Sequence, residues 1–462
     1  MIWRKLSGVL TAGAILMLPL LSGGAQADST VPASARHDRV QHVVILTMDG
    51  GHRELYTPAV APTISRLASQ GLDYVNAVAD FPGDSVPGNA DMFTGNQPTA
   101  TGLFYDTFYD RHYQQVIRLK YKNILAPGTT AQDYNRMPSV FQAATRAGLT
   151  SMFIAKDPAY AFLNGTPAAG PGITDLETPN LKVICPDVLD YQCFERYDDA
   201  NFTSLINSLT GPAAPAIAGY YVQAVSSAQK FGGVSSPATD QAIGFEDNEV
   251  QRLVTALQAS GAWDQTVLII TGDHGNTPLR PNPPDCVQND VSAANGCSFI
   301  SPASVQTFLG QQAVPISLVQ QTADNADYVW LSDPSQTAAA VAALSTPAAA
   351  NQFAIRRILT QQDFVALGAA PADRTPDFAL LPLAGYCYDS NVNDAKRAEH
   401  GGLDPADQAV PVIVTGGAVQ GQGVLEPEVH TEQIAATIAN LLNFAFPSAA
   451  FPALPGVQGA IH

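Results

Sequence analysis

Short, unbroken apolar runs recur along this chain with helical spacing between them. Val43 to Met48, Thr150 to Ala155, Ile217 to Val222, Val267 to Ile270 and Val410 to Val414 have the length and content of strands buried on both faces. Between these runs the period changes. Pro62, Ile64, Leu67 and Ala68 share one helical face and Gly71 stops the segment. Ser139 to Ala147 reads as a second helix. Val250, Leu253, Val254 and Leu257 fall at i, i+3, i+4 and i+7 behind an Asp247 cap, with Gly261 closing the turn. His430 to Leu442 is a last amphipathic helix. Strands alternating with helices predict an α/β fold, a mostly parallel sheet with helices on both faces.

Three stretches break the alternation and read as loop insertions. Residues 99–137 are rich in Tyr, Asp and Arg with little periodicity, and sit where the rim of a site is expected. Residues 175–210 carry Pro, Cys and charge. Residues 275–380 begin as loop and continue as Ala-rich helical stretches around short strands such as Tyr328 to Leu331. The chain shows no internal repeat. Its start has a different character: Arg4 and Lys5, an apolar stretch from Leu6 to Leu21 and a small-residue cleavage site at Ala25-Gln26-Ala27 form a signal peptide over 1–27. That apolar stretch is too short and too broken by Gly and Ser for a span of about 20 residues. A polar linker at 28–41, a main domain at 42–446 and a tail at 447–462 complete the expected organisation. The mature protein is expected outside the cytoplasm, periplasmic or extracellular, without a membrane span; the sequence leaves its oligomeric state open.

Charge narrows the partners. The formal net charge is −18, and loss of Arg4 and Lys5 with the leader takes it to −20. Such a surface repels nucleic-acid polymers at long range but still admits a small phosphorylated substrate at a local positive site. Five cysteines in an exported chain allow two disulfides. The pairs nearest in sequence are Cys185 with Cys193 and Cys286 with Cys297, which leaves Cys387 as a buried thiol.

The chemistry concentrates at strand ends. Asp273-His274-Gly275 follows the Val267 to Ile270 run, and Asp49-Gly50-Gly51 follows Val43 to Met48. In α/β sheets the carboxyl ends of strands carry the ligands. An adjacent acid and imidazole there are costly to bury unless something binds them, although a satisfied structural pair or a plain Asp-Gly turn reads the same way. Ser85 lies in Phe81-Pro-Gly-Asp-Ser-Val-Pro-Gly-Asn89, a loop stiff enough to present a hydroxyl; an ordinary turn serine is the alternative. Two carboxylates, an imidazole and a hydroxyl suffice to hold a Zn²⁺-like ion and activate a nucleophile.

Taken together, strand-Asp-Gly, a Pro-rich nucleophile loop followed by Thr94-Gly95, strand-Asp-His-Gly and a late His400-Gly401 occur in the order of the alkaline phosphatase superfamily. The chain most resembles the type I phosphodiesterase/nucleotide pyrophosphatase family, from about Val43 to Leu442. The resemblance implies an alkaline phosphatase-like three-layer sandwich with Ser85 as nucleophile attacking phosphorus in line. It also implies one metal on Asp49, Ser85, Asp273 and His274, and a ligand of a second metal at His400. Zn²⁺ is the ion implied, with one or two divalent metals per chain.

Departures from the family pattern cluster at the second metal. Its other two ligands fall on Val225 and Gln229 in Gln223-Ala-Val-Ser-Ser-Ala-Gln-Lys-Phe-Gly232, so neither an Asp nor a His stands there. Lys230 is placed to supply a positive charge in its stead, and Asp157 or Gln229 to act as a replacement ligand or substrate contact. Gly88 stands where the family has an asparagine that steadies the phosphoryl oxygens, and Asn89 next to it is the candidate substitute. A bacterial and fungal subset of the superfamily is more similar still, through Pro82 to Gly88, Asp157 to Tyr160, Gln223 to Lys230 and Ala398 to Gly402. These features imply a phosphoric ester hydrolase, with a metal- or ligand-binding pseudoenzyme of the same fold as the alternative. A sulfatase is disfavoured because Ser85-Val-Pro-Gly ends in Asn89 and not Arg. A metal-free serine esterase is disfavoured because Asp49 occupies the end of the first strand, where such enzymes place their Gly-Asp-Ser block.

Overall fold

Eight strands hydrogen-bond into one sheet, in the order Gly423–Leu425, Leu72–Tyr74, Val412–Thr415, Thr266–Gly272, His42–Met48, Ile217–Val222, Ser151–Ile154 and Asp175–Glu177. This is a computed structural model that describes residues 40–281, 293, 296–391 and 395–457. The expected signal peptide and most of the linker lie outside the described residues. From Thr266–Gly272 to Asp175–Glu177 neighbouring strands run parallel, whereas Val412–Thr415 is antiparallel to both of its neighbours. The central strand explains its own apolar run: Val43 and Ile45 enter one core, and Val44, Leu46 and Met48 the opposite one. Both faces are covered, so no polar alternation is needed.

The helices depart from expectation in instructive ways. The helix expected behind Asp247 runs over Pro237–Ser260 and is capped by Ser236. Asp247 is buried in its middle, where its carboxylate accepts hydrogen bonds from the backbone N–H groups of Thr63 (3.0 Å) and Ile64 (2.7 Å), at the start of the Pro62–Gln70 helix. It caps a neighbouring helix and not its own. Residues 175–210, expected as an insertion, supply the edge strand and the Tyr191–Thr210 helix, whose Phe194, Phe202 and Leu205 fill the second core. The last helix is shorter than expected, Gln433–Leu441, because Val429–His430 pairs instead with Ala77–Val78.

Residues 305–380 contain most of a separate four-stranded antiparallel sheet with its own apolar cluster. Cys185 and Cys193 form a disulfide, and Cys387 is a buried free thiol. Cys297 is disulfide-bonded, while Cys286 lies outside the described residues. No helix among the described residues is long and apolar enough to cross a membrane.

Candidate active site

Register places the site. Met48 pairs with Gly272 on one side and Val222 on the other, so Asp49, Asp273 and Gln223 leave the sheet at a common edge. Ser85 joins them as the first residue of the Ser85–Thr94 helix, whose N-cap Asp84 accepts from Val86 N–H at 3.1 Å. A helix N-terminus presents its free N–H groups to anions.

Ser85 Oγ lies 3.2 Å from His274 Nε2, 2.7 Å from the Tyr221 hydroxyl and 3.1 Å from Lys156 Nζ. Lys156 also donates to Asp49 Oδ2 at 2.8 Å, while Asp49 Oδ1 lies 3.8 Å from His274 Nε2. Tyr221 donates to Asp273 Oδ2, and Asn89 Nδ2 approaches the same oxygen at 3.2 Å. Ligand atoms of Asp49, Asp273 and His274 fall within 4.8 Å of one another, and buried Asp273 Oδ1 has no hydrogen-bond partner. An orphaned carboxylate oxygen beside a second carboxylate and an imidazole fits a divalent cation.

The electrostatics agree with that reading. Burial pushes Asp49 up, but the charges of Lys156, His274 and Lys230 outweigh it and hold the carboxyl below its usual range. Asp273 is driven the other way, to about 6, by burial and by Asp49, against His274 and Lys156. His400 stacks on His274 with ring centroids 3.9 Å apart, and its Nδ1 lies 3.1 Å from the Gly83 carbonyl oxygen. Burial, with His274 and Lys230 adding to it, pushes His400 well below the usual imidazole range and keeps the ring neutral, the form that ligates a metal.

Above these groups opens a cavity of about 580 Å³. Six of the chain's seven lysines line it: Lys120, Lys122, Lys156, Lys182, Lys230 and Lys396. In a chain of net charge −18 they gather beside six carboxylates of the same lining, Asp49, Asp84, Asp106, Asp157, Asp324 and Glu399.

A family model described as type I phosphodiesterase / nucleotide pyrophosphatase matches residues 43–404. The chain belongs to the type I phosphodiesterase/nucleotide pyrophosphatase family. Solved structures agree on the fold. Human ectonucleotide pyrophosphatase/phosphodiesterase 5 superposes with a TM-score of 0.67 at 16% identity, over 91% of this chain and 97% of that one. The murine protein gives 0.67 at 14% identity over 90% and 97%. An inactive murine variant in complex with AMP gives 0.65 at 15% identity over 90% and 97%. No curated protein sequence matches the chain.

Within this phosphodiesterase-family site, the expected residues divide. Asp49, Ser85, Asp273, His274 and His400 converge, and Lys230 reaches the rim, where its Nζ lies 3.5 Å from Glu399 Oε1. Gln229 does not face the cavity. Its Nε2 donates to the Gly50 carbonyl at 3.0 Å, and its Oε1 accepts from Asn276 at 2.6 Å, so it braces the loop after Asp49. Asp157 lines the cavity but lies outside the ligand cluster and caps the Pro158–Asn164 turn through Ala159 N–H at 2.7 Å. Asn89 is fully buried, donating to Asp273 and to the Ser85 carbonyl, and does not line the cavity as a phosphoryl-binding substitute would. Gly88 shows why no asparagine stands at that position: a Cβ there would sit 2.5 Å from the Asp273 carbonyl oxygen.

Lys156 and Tyr221 escaped the sequence reading. Lys156 follows the Ser151–Ile154 strand by two residues and obeys the same strand-end rule as Asp49, so a search of every strand end for charge would have found it. Tyr221 lies inside an apolar strand and carries no such signal.

Proposed function

We propose that this protein is an exported, metal-dependent phosphodiesterase that uses Ser85 as nucleophile on a small phosphorylated substrate of nucleotide type. The observation that carries the reading is the Ser85 hydroxyl itself. It lies at a helix N-terminus beside the Asp49, Asp273 and His274 cluster, and under a lysine-lined cavity.

Asp49, Asp273, His274 and Ser85 would hold one ion, with Zn²⁺ favoured by the mixed carboxylate and imidazole donors. Bound there, it supplies Lewis acidity and a lower pKa for the nucleophilic hydroxyl. The chain's own groups account for the rest. Lys156 faces Ser85 Oγ and stabilises negative charge on it once its proton has left. Asn89 and Tyr221 fix the Asp273 carboxylate. As the bond from Ser85 Oγ to phosphorus forms, the bond from phosphorus to the leaving alcohol or nucleotide portion breaks, and water later hydrolyses the phosphoseryl ester. Val225 and Gln229 cannot complete the family's second metal site, so Lys156 and Lys230 act as fixed charges in its place. A diester needs less neutralisation than a monoester, which favours the diesterase reading.

The test is zinc content per chain together with hydrolysis of a bis-aryl phosphodiester by wild type and Ser85→Ala. Turnover that disappears with Ser85 supports the proposal. Metal binding with no turnover in wild type would replace it with the non-catalytic ligand-binding reading, which the absence of two family ligands favours.

A further inference from the structure

A second cluster of ligand-type side chains lies away from the catalytic groups. Asp80, His430 and Glu432 present ligand atoms within 4.8 Å of one another. Two chain segments bring them together. Asp80 follows the Ala77–Val78 strand, which pairs in parallel with Val429–His430, and Glu432 precedes the final helix Gln433–Leu441.

The local bonding leaves one face of this cluster unanswered. Asp80 Oδ2 accepts from Gln97 Nε2 at 2.5 Å, and Asp80 Oδ1 lies 3.1 Å from His430 Nδ1. Glu432 is completely buried, and its Oε1 receives no hydrogen bond from any donor. The carboxyl it meets is that of Asp80, and the two form a carboxyl–carboxyl hydrogen bond when one of them carries a proton. Among the described residues no lysine or arginine pairs with any of the three. A buried carboxylate oxygen with no donor is costly, and two facing carboxylates stay together by sharing a proton or by holding a cation. A shared proton would satisfy the two acids and leave His430 paired with Asp80 alone, whereas a cation would engage all three groups. On its far side, His430 Nε2 lies 3.7 Å from Glu428 Oε1, an outer carboxylate of the kind that orients a ligating histidine.

We propose that Asp80, His430 and Glu432 form a divalent-cation site of zinc type, separate from the catalytic cluster, with a water completing its coordination. One imidazole nitrogen and two carboxylate oxygens make a mixed donor set of the kind that holds Zn²⁺. The His430 side chain is 32% exposed, which leaves a path for the ion and for that water. The site is structural. Asp80 immediately precedes Phe81 and the loop that delivers Ser85, so an ion there ties the nucleophile loop to the last helix of the chain. This proposal does not depend on the phosphodiesterase reading.

The experiment starts from an Asp49→Asn, Asp273→Asn double variant, in which the catalytic carboxylates no longer hold metal. Saturated with zinc, desalted and assayed by elemental analysis, this protein should retain about one zinc per chain, as expected for a three-ligand site. Adding Glu432→Gln or His430→Ala should abolish it. Chelation should lower the melting temperature of the double variant, a readout that needs no substitution at the proposed site and survives if the added variants fold poorly. A double variant without zinc, zinc retained after both Glu432→Gln and His430→Ala, or a melting temperature indifferent to chelator would each overturn the site. None of these outcomes bears on Ser85-dependent turnover, which is measured on the unmodified catalytic cluster.

Discussion

Lys156 is the residue whose position changes the chemistry most. Its ammonium touches both Asp49 and the nucleophile, and its pKa rises because Asp49 and Asp273 outweigh the burial that opposes its charge. On the proposed reading it takes over part of the work of a second ion. Lys156→Met should therefore lower kcat on an aryl phosphodiester by about 10²–10³-fold, the usual effect of losing one preorganised donor, with zinc content unchanged. Unaltered kcat at full metal content would show that the ammonium only neutralises Asp49. The residues that sequence made legible, Asp49, Asp273, His274, Ser85 and His400, share a local signature: each follows a strand or stands in a loop stiffened by Pro or Gly. Lys156 carried the same signature unnoticed, since a lone lysine reads as a solvated charge. The roles of Gln229 and Asn89 were not legible, because both depend on which way a buried amide turns. Gln229 turns to Gly50 and Asn276, and Asn89 to Asp273.

Elements were legible in proportion to how fully they are buried. The central strands announce themselves because both faces are covered, so no charged residue interrupts the run. The Pro237–Ser260 helix was seen only in its second half. Its first half buries Glu246 and Asp247, which bond the backbone N–H groups of Val225, Thr63 and Ile64, and so disguise a packed face as a polar one. In the antiparallel sheet, Ile355–Thr360 has exposed arginines typical of an edge strand, and its periodicity is weak. In the same sheet, the Asp327–Leu331 strand, one strand further in beyond Phe378–Pro382, carries a testable liability. Asp327 is fully buried, its Oδ1 has no partner, and burial pushes its carboxyl to about 8 despite a hydrogen bond from Gln321. A carboxyl with a raised folded-state pKa contributes its stability in full below the unfolded value of about 3.9 and loses it as pH climbs through about 8. The slope is on the order of 1.4 kcal/mol per pH unit within that window. Asp327→Asn does not titrate, so its stability relative to wild type should rise between pH 5 and pH 9 in urea unfolding. A difference that stays flat across that range would refute the buried-acid account.

At the scale of the whole molecule, the distribution of charge is the feature that links fold to substrate. The chain carries 41 acidic and 23 basic side chains, yet six of its seven lysines meet in one cavity. They arrive there from distant parts of the sequence. Lys120 and Lys122 come from the stretch that showed no periodicity, Lys156 from a strand end, Lys182 from the segment before the Tyr191–Thr210 helix, Lys230 from the Ala224–Gly232 helix and Lys396 from the loop before His400. No sequence window contains the cluster, so only the fold reveals it. An acidic exterior discourages polyanions from the general surface, while the cavity sets these lysines beside Asp49, Asp84, Asp106, Asp157, Asp324 and Glu399, so that Lys120, Lys156, Lys230 and Lys396 meet an anionic substrate as ion-paired donors. Because the only lysine elsewhere is Lys5, at the start of the expected leader, amine-directed acylation becomes a site-directed reagent for this protein. Acetylation of the mature chain should abolish phosphodiester hydrolysis, and inorganic phosphate or AMP should slow both the inactivation and the mass increments on peptides carrying the cavity lysines. Modification of the α-amino group should proceed at the same rate with or without these anions. Full acetylation of all six lysines with turnover preserved, or protection that is equal at the α-amino group, would separate the lysines from substrate binding and leave the catalytic cluster to account for anion recognition alone.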